Sequence, residues 1–331
     1  MCGINGFNFK DEMLVLKMIP LTQHRGPDQT DFFVNNKISL GHNRLSIIDL
    51  SDRGRQPMWD EKQELIIVFN GEIYNFQELR DNLQHKYKFR SQADTEVILY
   101  AYKEYGAECL NKFNGIFSFA IWDTRAQELF VARDRMGIKP FYYFFDGHKF
   151  IFSSEIKAIL AHNIPREVDN EAFNLYFQLL YVPEPYTMFK GIKKLPPASF
   201  LIFRDNKIVI KEYWIVSDFT NLSSRQQARA EIKNLFEDSV KIQLISDRPV
   251  GVFLSGGFDS TPILGVAKDH LPGKVKTFSV GFEDSMQPER FNADFLLARQ
   301  TARIYGTEHH ELMVGPQDLI DNLEKIVWHL D

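Results

Sequence analysis

Cys2 follows the initiator Met1 directly and precedes Gly3-Ile4-Asn5-Gly6. Removal of Met1 by an aminopeptidase that tolerates a small second side chain would leave Cys2 with a thiol and a free α-amine on one carbon skeleton. That amine, with an ordinary pKa of about 7.7–8.0, can take the thiol proton directly or through a water, which makes the pair a nucleophile with its own base. The bland alternative is a small residue at a frayed end. Asn70-Gly71 offers a side-chain amide and a backbone N–H to one oxygen, as an oxyanion hole for acyl transfer requires, yet Asn-Gly between apolar runs is equally a hairpin signal. The fork of Arg44 matches a carboxylate bidentately, or is a solvated strand charge. Asp94 could receive an ammonium, or only cap a helix. Far downstream, Leu254-Ser255-Gly256-Gly257-Phe258-Asp259-Ser260 reads as a strand end, a glycine-rich loop and a helix start. Its glycines admit close approach of a ligand and the helix N-terminus offers unpaired N–H groups, so the loop is a phosphate cradle. It lacks the Gly-Lys-Ser or Gly-Lys-Thr of a Walker A loop.

The elements around these residues fall into two textures. Residues 40–48 predict a strand with His42, Arg44 and Ser46 on one face, and 64–69 predict an apolar strand leading into Asn70. Helices are expected at 77–87 and 94–105, and antiparallel strands at 116–122, 128–133, 141–145 and 149–153. Val182-Pro183-Glu184-Pro185 and Leu195-Pro196-Pro197 then break the pattern, and a hairpin is expected over 200–203 and 208–210. Domains of 1–210 and 211–331 follow. In the second, helices at 229–244, 261–271 and 293–305 alternate with strands at 251–254 and 275–280, the signature of a parallel sheet flanked by helices.

With 331 residues, 44% of them hydrophobic, the chain has material for two cores. A net charge of -5 with interspersed signs argues against nucleic acid and anionic membrane as partners and favours small molecules. Two cysteines, Cys2 and Cys109, cannot build a disulfide framework, which fits a reducing compartment. No basic segment runs into an apolar one at the N-terminus and no stretch approaches the roughly 20 apolar residues of a membrane span, so a cytoplasmic location is expected.

Several motifs in fixed order resemble the amidotransferase domain of glutamine-hydrolysing asparagine synthetases: Cys2-Gly3-Ile4, His24-Arg25-Gly26-Pro27-Asp28, His42-Asn43-Arg44-Leu45-Ser46-Ile47, Asn70-Gly71-Glu72-Ile73-Tyr74-Asn75 and Asp94-Thr95-Glu96. The resemblance continues through Arg133-Asp134-Arg135-Met136-Gly137-Ile138-Lys139-Pro140 and Ser153-Ser154-Glu155. It implies an α+β N-terminal nucleophile αββα sandwich in which Cys2 attacks the glutamine amide. It also implies Asn70 and Gly71 as the oxyanion hole, and Arg44, Glu72, Asp94 and Asn70 as glutamine-binding residues.

The second loop resembles the pyrophosphate loop of ATP pyrophosphatases, and Thr277-Phe278-Ser279-Val280-Gly281-Phe282 the family's next strand, whose valine lies against adenine. The implied fold is a partial α/β parallel-sheet domain binding ATP with Mg²⁺ through Leu254, Ser255, Gly256, Gly257, Asp259, Ser260 and Val280. The implied reaction joins ammonia to an aspartyl adenylate, so glutamine, aspartate and ATP are the expected partners, with a homodimer as one allowed assembly. Phe258, Thr261 and Ala293-Asp294 depart from the family pattern. His309-His310-Glu311 is not assigned a metal, because strand neighbours face opposite sides. One helical face over 318–330 is apolar, and family members continue past Asp331, so the expectation is an N-terminal part that hydrolyses glutamine without making asparagine. Two alternatives stay open: an amidotransferase with another carboxylate acceptor, and a regulatory module that binds glutamine or ATP without turnover.

Overall fold

Alternating apolar residues build most of the first unit. The computed structural model describes residues 1–217, 224–283 and 292–331, and divides into Met1–Ser217 and Asp218–Asp331. The first unit runs β1 (Gly3–Phe7), α1 (Glu12–Thr22), β2 (Gln29–Val34), β3 (Ser39–Arg44), β4 (Met58–Trp59), β5 (Leu65–Ile73), α2 (Phe76–Leu83), α3 (Asp94–Tyr105) and α4 (Cys109–Lys112). It continues through β6 (Gly115–Asp123), β7 (Glu128–Arg133), β8 (Tyr142–Phe145), β9 (Phe150–Ser153), α5 (Ile156–Ile159), α6 (Asn170–Leu179), β10 (Ile192–Lys194), β11 (Ser199–Arg204) and β12 (Lys207–Glu212). Two six-stranded antiparallel sheets result, ordered β10-β8-β9-β1-β3-β2 and β12-β11-β7-β6-β5-β4.

The two-residue period of β5 and β6 sorts their side chains into layers. Ile66, Val68, Ala120 and Trp122 meet Ile4, Leu40 and Phe152 of the other sheet. On the opposite face, Ile67, Phe69 and Ile121 pack with Leu79 of α2 and Val97 of α3. The outer face of the first sheet sets Phe7 and Ile151 against Val15 and Met18 of α1 and Ile159 of α5. The order helix, sheet, sheet, helix is the αββα sandwich.

Local expectations fail where long-range pairing intervenes. Asn70-Gly71 is no turn: β5 runs through it, with Asn70 opposite Ser118 and Gly71 opposite Phe117. The strand expected over 40–48 stops at Arg44. Helix α2 ends at Leu83 rather than 87, because the N–H groups of Lys86 and Tyr87 both turn back to the Leu83 carbonyl. The N-cap of α3 is Ala93, and Asp94 is its first helical residue. The first unit reaches Ser217 rather than residue 210, since β12 continues to Glu212 and Tyr213 donates its hydroxyl to the Arg133 carbonyl at 3.0 Å.

The second unit contains α7 (Arg225–Gln243), β13 (Gly251–Phe253), α8 (Ser260–His270), β14 (Lys276–Phe282), α9 (Ala293–Tyr305), β15 (Glu308–Val314), α10 (Pro316–Asp321) and α11 (Leu323–Leu330). Its strands pair parallel in the order β13-β14-β15. One sheet face packs Val252, Leu254, Leu264, Ala298 and Ala302 into a small core. The other leaves Phe253, Phe278, Val280, Phe282 and Leu312 exposed. The helix expected over 318–330 breaks at Asn322 into α10 and α11, and neither buries a residue. Among the described residues no helix is long and apolar enough to cross a membrane.

Candidate active site

Cys2 sits where β1 begins, and β1 lies inside its sheet between β9 and β3. Arg25 Nε donates to the Cys2 carbonyl at 3.0 Å, and Ile4 exchanges hydrogen bonds with Ser154, its N–H to Oγ at 3.1 Å and its carbonyl to N–H at 2.9 Å. The thiol is held against Leu45, whose N–H reaches Sγ at 3.4 Å. Burial pushes the thiol pKa up, so a base must deprotonate it. The N-terminal amine, carried here by Met1, is pushed down by burial. The nearby imidazole is no alternative base. Burial lowers the His42 pKa to about 4, and its Nε2 donates to the Phe69 carbonyl at 3.0 Å.

Opposite the thiol's sheet, β5 presents an outward row of backbone groups. Phe117 N–H and carbonyl both bond to Asp134, at 3.1 and 2.8 Å, on the side away from β5. Gly71 and Phe117 therefore form a non-hydrogen-bonded pair, and the N–H of Gly71 points away from β6. Residues 69, 71 and 73 share this outward direction. Phe69 N–H is taken by Gln56 Oε1 at 2.7 Å and Ile73 N–H by Asp94 Oδ2 at 2.9 Å. Gly71 N–H, between them, has no such partner among the described residues. Beside it Asn70 is wholly buried with neither Nδ2 nor Oδ1 hydrogen-bonded. Two adjacent donors, unspent in a protein interior, are what an oxyanion requires and what an unliganded core avoids. Only glycine fits at 71, because a Cβ would lie 2.2 Å from the Ile116 carbonyl oxygen.

Arg44 differs from the free fork expected. Its Nη1 donates to Gln29 Oε1 at 2.7 Å and to the Ser51 carbonyl at 3.0 Å, and its Nη2 donates to the carbonyls of Ile48 at 3.2 Å and Asp49 at 2.5 Å. The guanidinium thus shapes the loop of residues 48–51, which leaves the strand where the sequence reading extended it. Glu72 and Asp94 form an acidic pair. Burial and the neighbouring Asp94 charge raise Glu72 to about 8. Burial raises Asp94 to about 6, although the N–H groups of Ile73 and Thr95 and the Arg44 charge oppose the rise. A site that makes two carboxylates reluctant to ionise is arranged for a cation that is not part of the chain.

Two basic residues in the quoted motifs have no role that the sequence alone assigns. Arg25 ties Cys2 to Glu155, with Nη1 to Oε1 at 2.9 Å, and its buried Nη2 has no partner. Lys139 is nine-tenths buried and feels the charges of Glu72, Arg25 and Cys2. Their position near the thiol depends on contacts more than 20 residues apart, which no local pattern displays.

In the second unit a depression of about 280 Å³ is lined by Leu254, Ser255 and Val280 of the residues expected at a nucleotide, with Phe253, Phe278, Ser279, Asp294 and Phe295, while Gly256, Gly257, Asp259 and Ser260 do not line it. The loop beside it is closed by Ser260, whose Oγ accepts Ser255 N–H at 3.2 Å and lies 3.0 Å from Ser255 Oγ. Gly256 has φ +77° and would place a Cβ 2.6 Å from the Leu297 carbonyl carbon, so the loop shape demands glycine there. Gly257 donates to Ser255 Oγ at 3.3 Å, and Asp259 stands at the N-cap of α8. His309 bonds Thr277 and Ser279 on the buried face, while His310 stacks on Phe278 across the sheet. Among the described residues no group of three or more His, Cys, Asp or Glu side chains is placed to hold a metal ion.

A family model described as a glutamine amidotransferase domain matches residues 1–214. A second, described as asparagine synthase, matches residues 231–331. The chain belongs to the glutamine-hydrolysing asparagine synthetase family. Over its full length it is 38% identical to a putative glutamine-hydrolysing asparagine synthetase 2 of Methanocaldococcus jannaschii, of which it spans 68%. Over 99% of its length it is 38% identical to the glutamine-hydrolysing asparagine synthetase 3 of Bacillus subtilis, spanning 56% of that protein. Over 94% of its length it is 33% identical to the amidase chyE of Penicillium rubens, spanning 48% of it.

Proposed function

We propose that the first unit hydrolyses glutamine to glutamate and ammonia, and that the second contributes to an ATP-dependent transfer of that ammonia to aspartate. After Met1 is removed, the α-amine of Cys2 takes the thiol proton and Sγ attacks the glutamine side-chain carbonyl carbon. The developing oxyanion is met by Asn70 Nδ2 and Gly71 N–H. Collapse breaks the C–N bond, and the leaving nitrogen takes the proton from the amine and departs as ammonia. Water then cleaves the thioester, which restores the thiol. The α-ammonium of glutamine pairs with Glu72 and Asp94. Arg44 acts by its charge and through the loop of residues 48–51. The observation that carries this reading is the buried, unpartnered amide of Asn70 beside the unpartnered Gly71 N–H.

For the second unit, the Ser255–Ser260 loop would hold the phosphates of ATP with Mg²⁺, and Val280 would lie against the base. The carboxylate activated would be that of aspartate, the acid whose amide the synthetase relatives are named for making. Similarity to the Penicillium amidase supports a second reading, a different carboxylate acceptor. The test is to supply glutamine, each candidate acceptor and Mg-ATP to processed protein and to measure glutamate, amide product, AMP and pyrophosphate. Glutamate released by the parent but not by Cys2→Ala supports the first step. Equal release by both would sink it.

A further inference from the structure

Strand β9 ends at Ser153, opposite Asn5, and the chain turns away from β1 before it reaches Cys2. Side chains take over from the ladder. Ser153 Oγ donates to Asn5 Oδ1 at 2.8 Å and accepts the N–H of Glu155 at 3.1 Å, and Ser154 Oγ accepts the N–H of Ile4 at 3.1 Å. Glu155 follows at the N-cap of α5, yet its side chain makes no capping hydrogen bond to that helix. It meets Arg25 instead, whose Nη1 donates to Oε1 at 2.9 Å and whose Nε donates to the Cys2 carbonyl at 3.0 Å. One guanidinium thus joins a buried carboxylate to the backbone of Cys2.

The carboxylate is itself held from several sides. His24 Nε2 lies 2.9 Å from the same Oε1, and Lys157 Nζ lies 2.7 Å from Oε2. Although burial opposes ionisation, Lys157 and Arg25 hold the Glu155 carboxyl below its ordinary value, so it is charged at neutral pH. Arg25 has little else to orient it, since its Nη2 is buried without a hydrogen-bond partner among the described residues. Cys2, in turn, precedes β1 and has no residue before it once Met1 is removed. Its Sγ has only long contacts, with Leu45 N–H at 3.4 Å and the Leu45 carbonyl at 3.7 Å. The Cys2 carbonyl is therefore the tethered point from which Sγ is aimed.

We propose that Glu155 is a positioning residue of the glutaminase site: it fixes Arg25, which fixes the Cys2 carbonyl and so directs Sγ at the glutamine amide carbon. This rests on Cys2 as the nucleophile. A residue that acts on the aim of the nucleophile, and touches no substrate, governs kcat and leaves KM alone.

The test compares parent, Glu155→Ala, Glu155→Gln and Glu155→Asp, each shown by mass spectrometry to have lost Met1. The readouts are kcat and KM for glutamine hydrolysis, iodoacetamide alkylation of Cys2, and the unfolding temperature. Glu155→Ala is expected to lower kcat about 10- to 100-fold, as a misplacement of about 1 Å can, with KM changed by less than about twofold. Glu155→Gln should recover most of the rate, because its amide oxygen can still accept from Arg25 Nη1. Both variants lose the charge that Lys157 and Arg25 pair with, so both should melt below the parent. A kcat that fell alike in both would follow stability and overturn the proposal. Glu155→Asp keeps the charge but withdraws it by one methylene, and it serves if the alanine variant does not fold: kcat is expected to fall with KM unchanged. A parental kcat in the alanine and aspartate variants, or a raised KM at unchanged kcat, would also overturn the proposal. Alkylation needs the thiol but no aim at glutamine, and it is expected in every variant. A parent that is alkylated at Cys2 yet releases no glutamate would sink the glutaminase reading itself, and the role of Glu155 with it.

Discussion

Gly54 lies flat against Arg44: a Cβ at residue 54 would stand 2.0 Å from Nη2 and 2.6 Å from Cζ. The guanidinium cannot yield cheaply, because four hydrogen bonds hold it to Gln29 and to the carbonyls of residues 48, 49 and 51. Gly54→Ala is therefore expected to loosen the loop of residues 48–51 and raise the KM for glutamine about tenfold, since one hydrogen bond from a charged donor is worth about 1.5–3 kcal/mol. Steady-state glutaminase kinetics check this. An unchanged KM would place Arg44 and its loop outside the glutamine site.

Asn70→Ala should separate catalysis from stability. Loss of one oxyanion donor typically lowers kcat by about 10² to 10³. The amide makes no hydrogen bonds in the fold, so its removal should change the unfolding temperature only slightly. A variant with near-parental kcat would show that Asn70 stabilises no transition-state charge.

The Glu72 carboxyl gives stability a pH signature. Its native pKa, raised to about 8, exceeds the ordinary value of 4.5, so the folded state holds a proton that the unfolded chain has released between those limits. Relative stability is then present below about pH 4.5 and is lost as pH rises through about 8. Glu72→Gln abolishes this titration. Without glutamine, the variant's unfolding temperature should gain on the parent's steadily from about pH 5 to about pH 8, measured by calorimetry. A constant difference across that range would mean that Glu72 ionises normally.

The two units should differ in resistance to protease. A parallel sheet ordinarily has both faces covered, whereas Phe253 is 86% exposed and Leu312 61%. Limited proteolysis of the 331-residue chain is expected to degrade the second unit first and to leave a fragment of the first that retains glutaminase activity.

Residues whose partners are near in sequence are the readable ones. Helix α3 spans the expected 94–105 because its apolar period and the Gly106 stop are local, and Gly106 has φ +57°. The last hairpin of the first unit is likewise local: Asp205 and Asn206, both with positive φ, join β11 to β12. Asn70-Gly71 could be marked as oxyanion donors or as a turn, and only the ladder to β6 removes the turn. Arg44 could be seen as a fork, but not that carbonyls of the following loop would occupy it.

The placement of β1 between β3 and β9 sets an order of events during synthesis. Ser153, which pairs with Asn5, leaves the ribosome long after the N-terminus does. At about 5–20 residues per second the interval is on the order of ten seconds or more. Throughout it Met1 and Cys2 precede a strand that cannot yet have both neighbours, open to an aminopeptidase and also to any oxidant. If Cys2 is the nucleophile proposed above, its exposure by Met1 removal is timed by translation, and a leader or tag fused ahead of Met1 is expected to abolish glutaminase activity even in a chain that later folds normally.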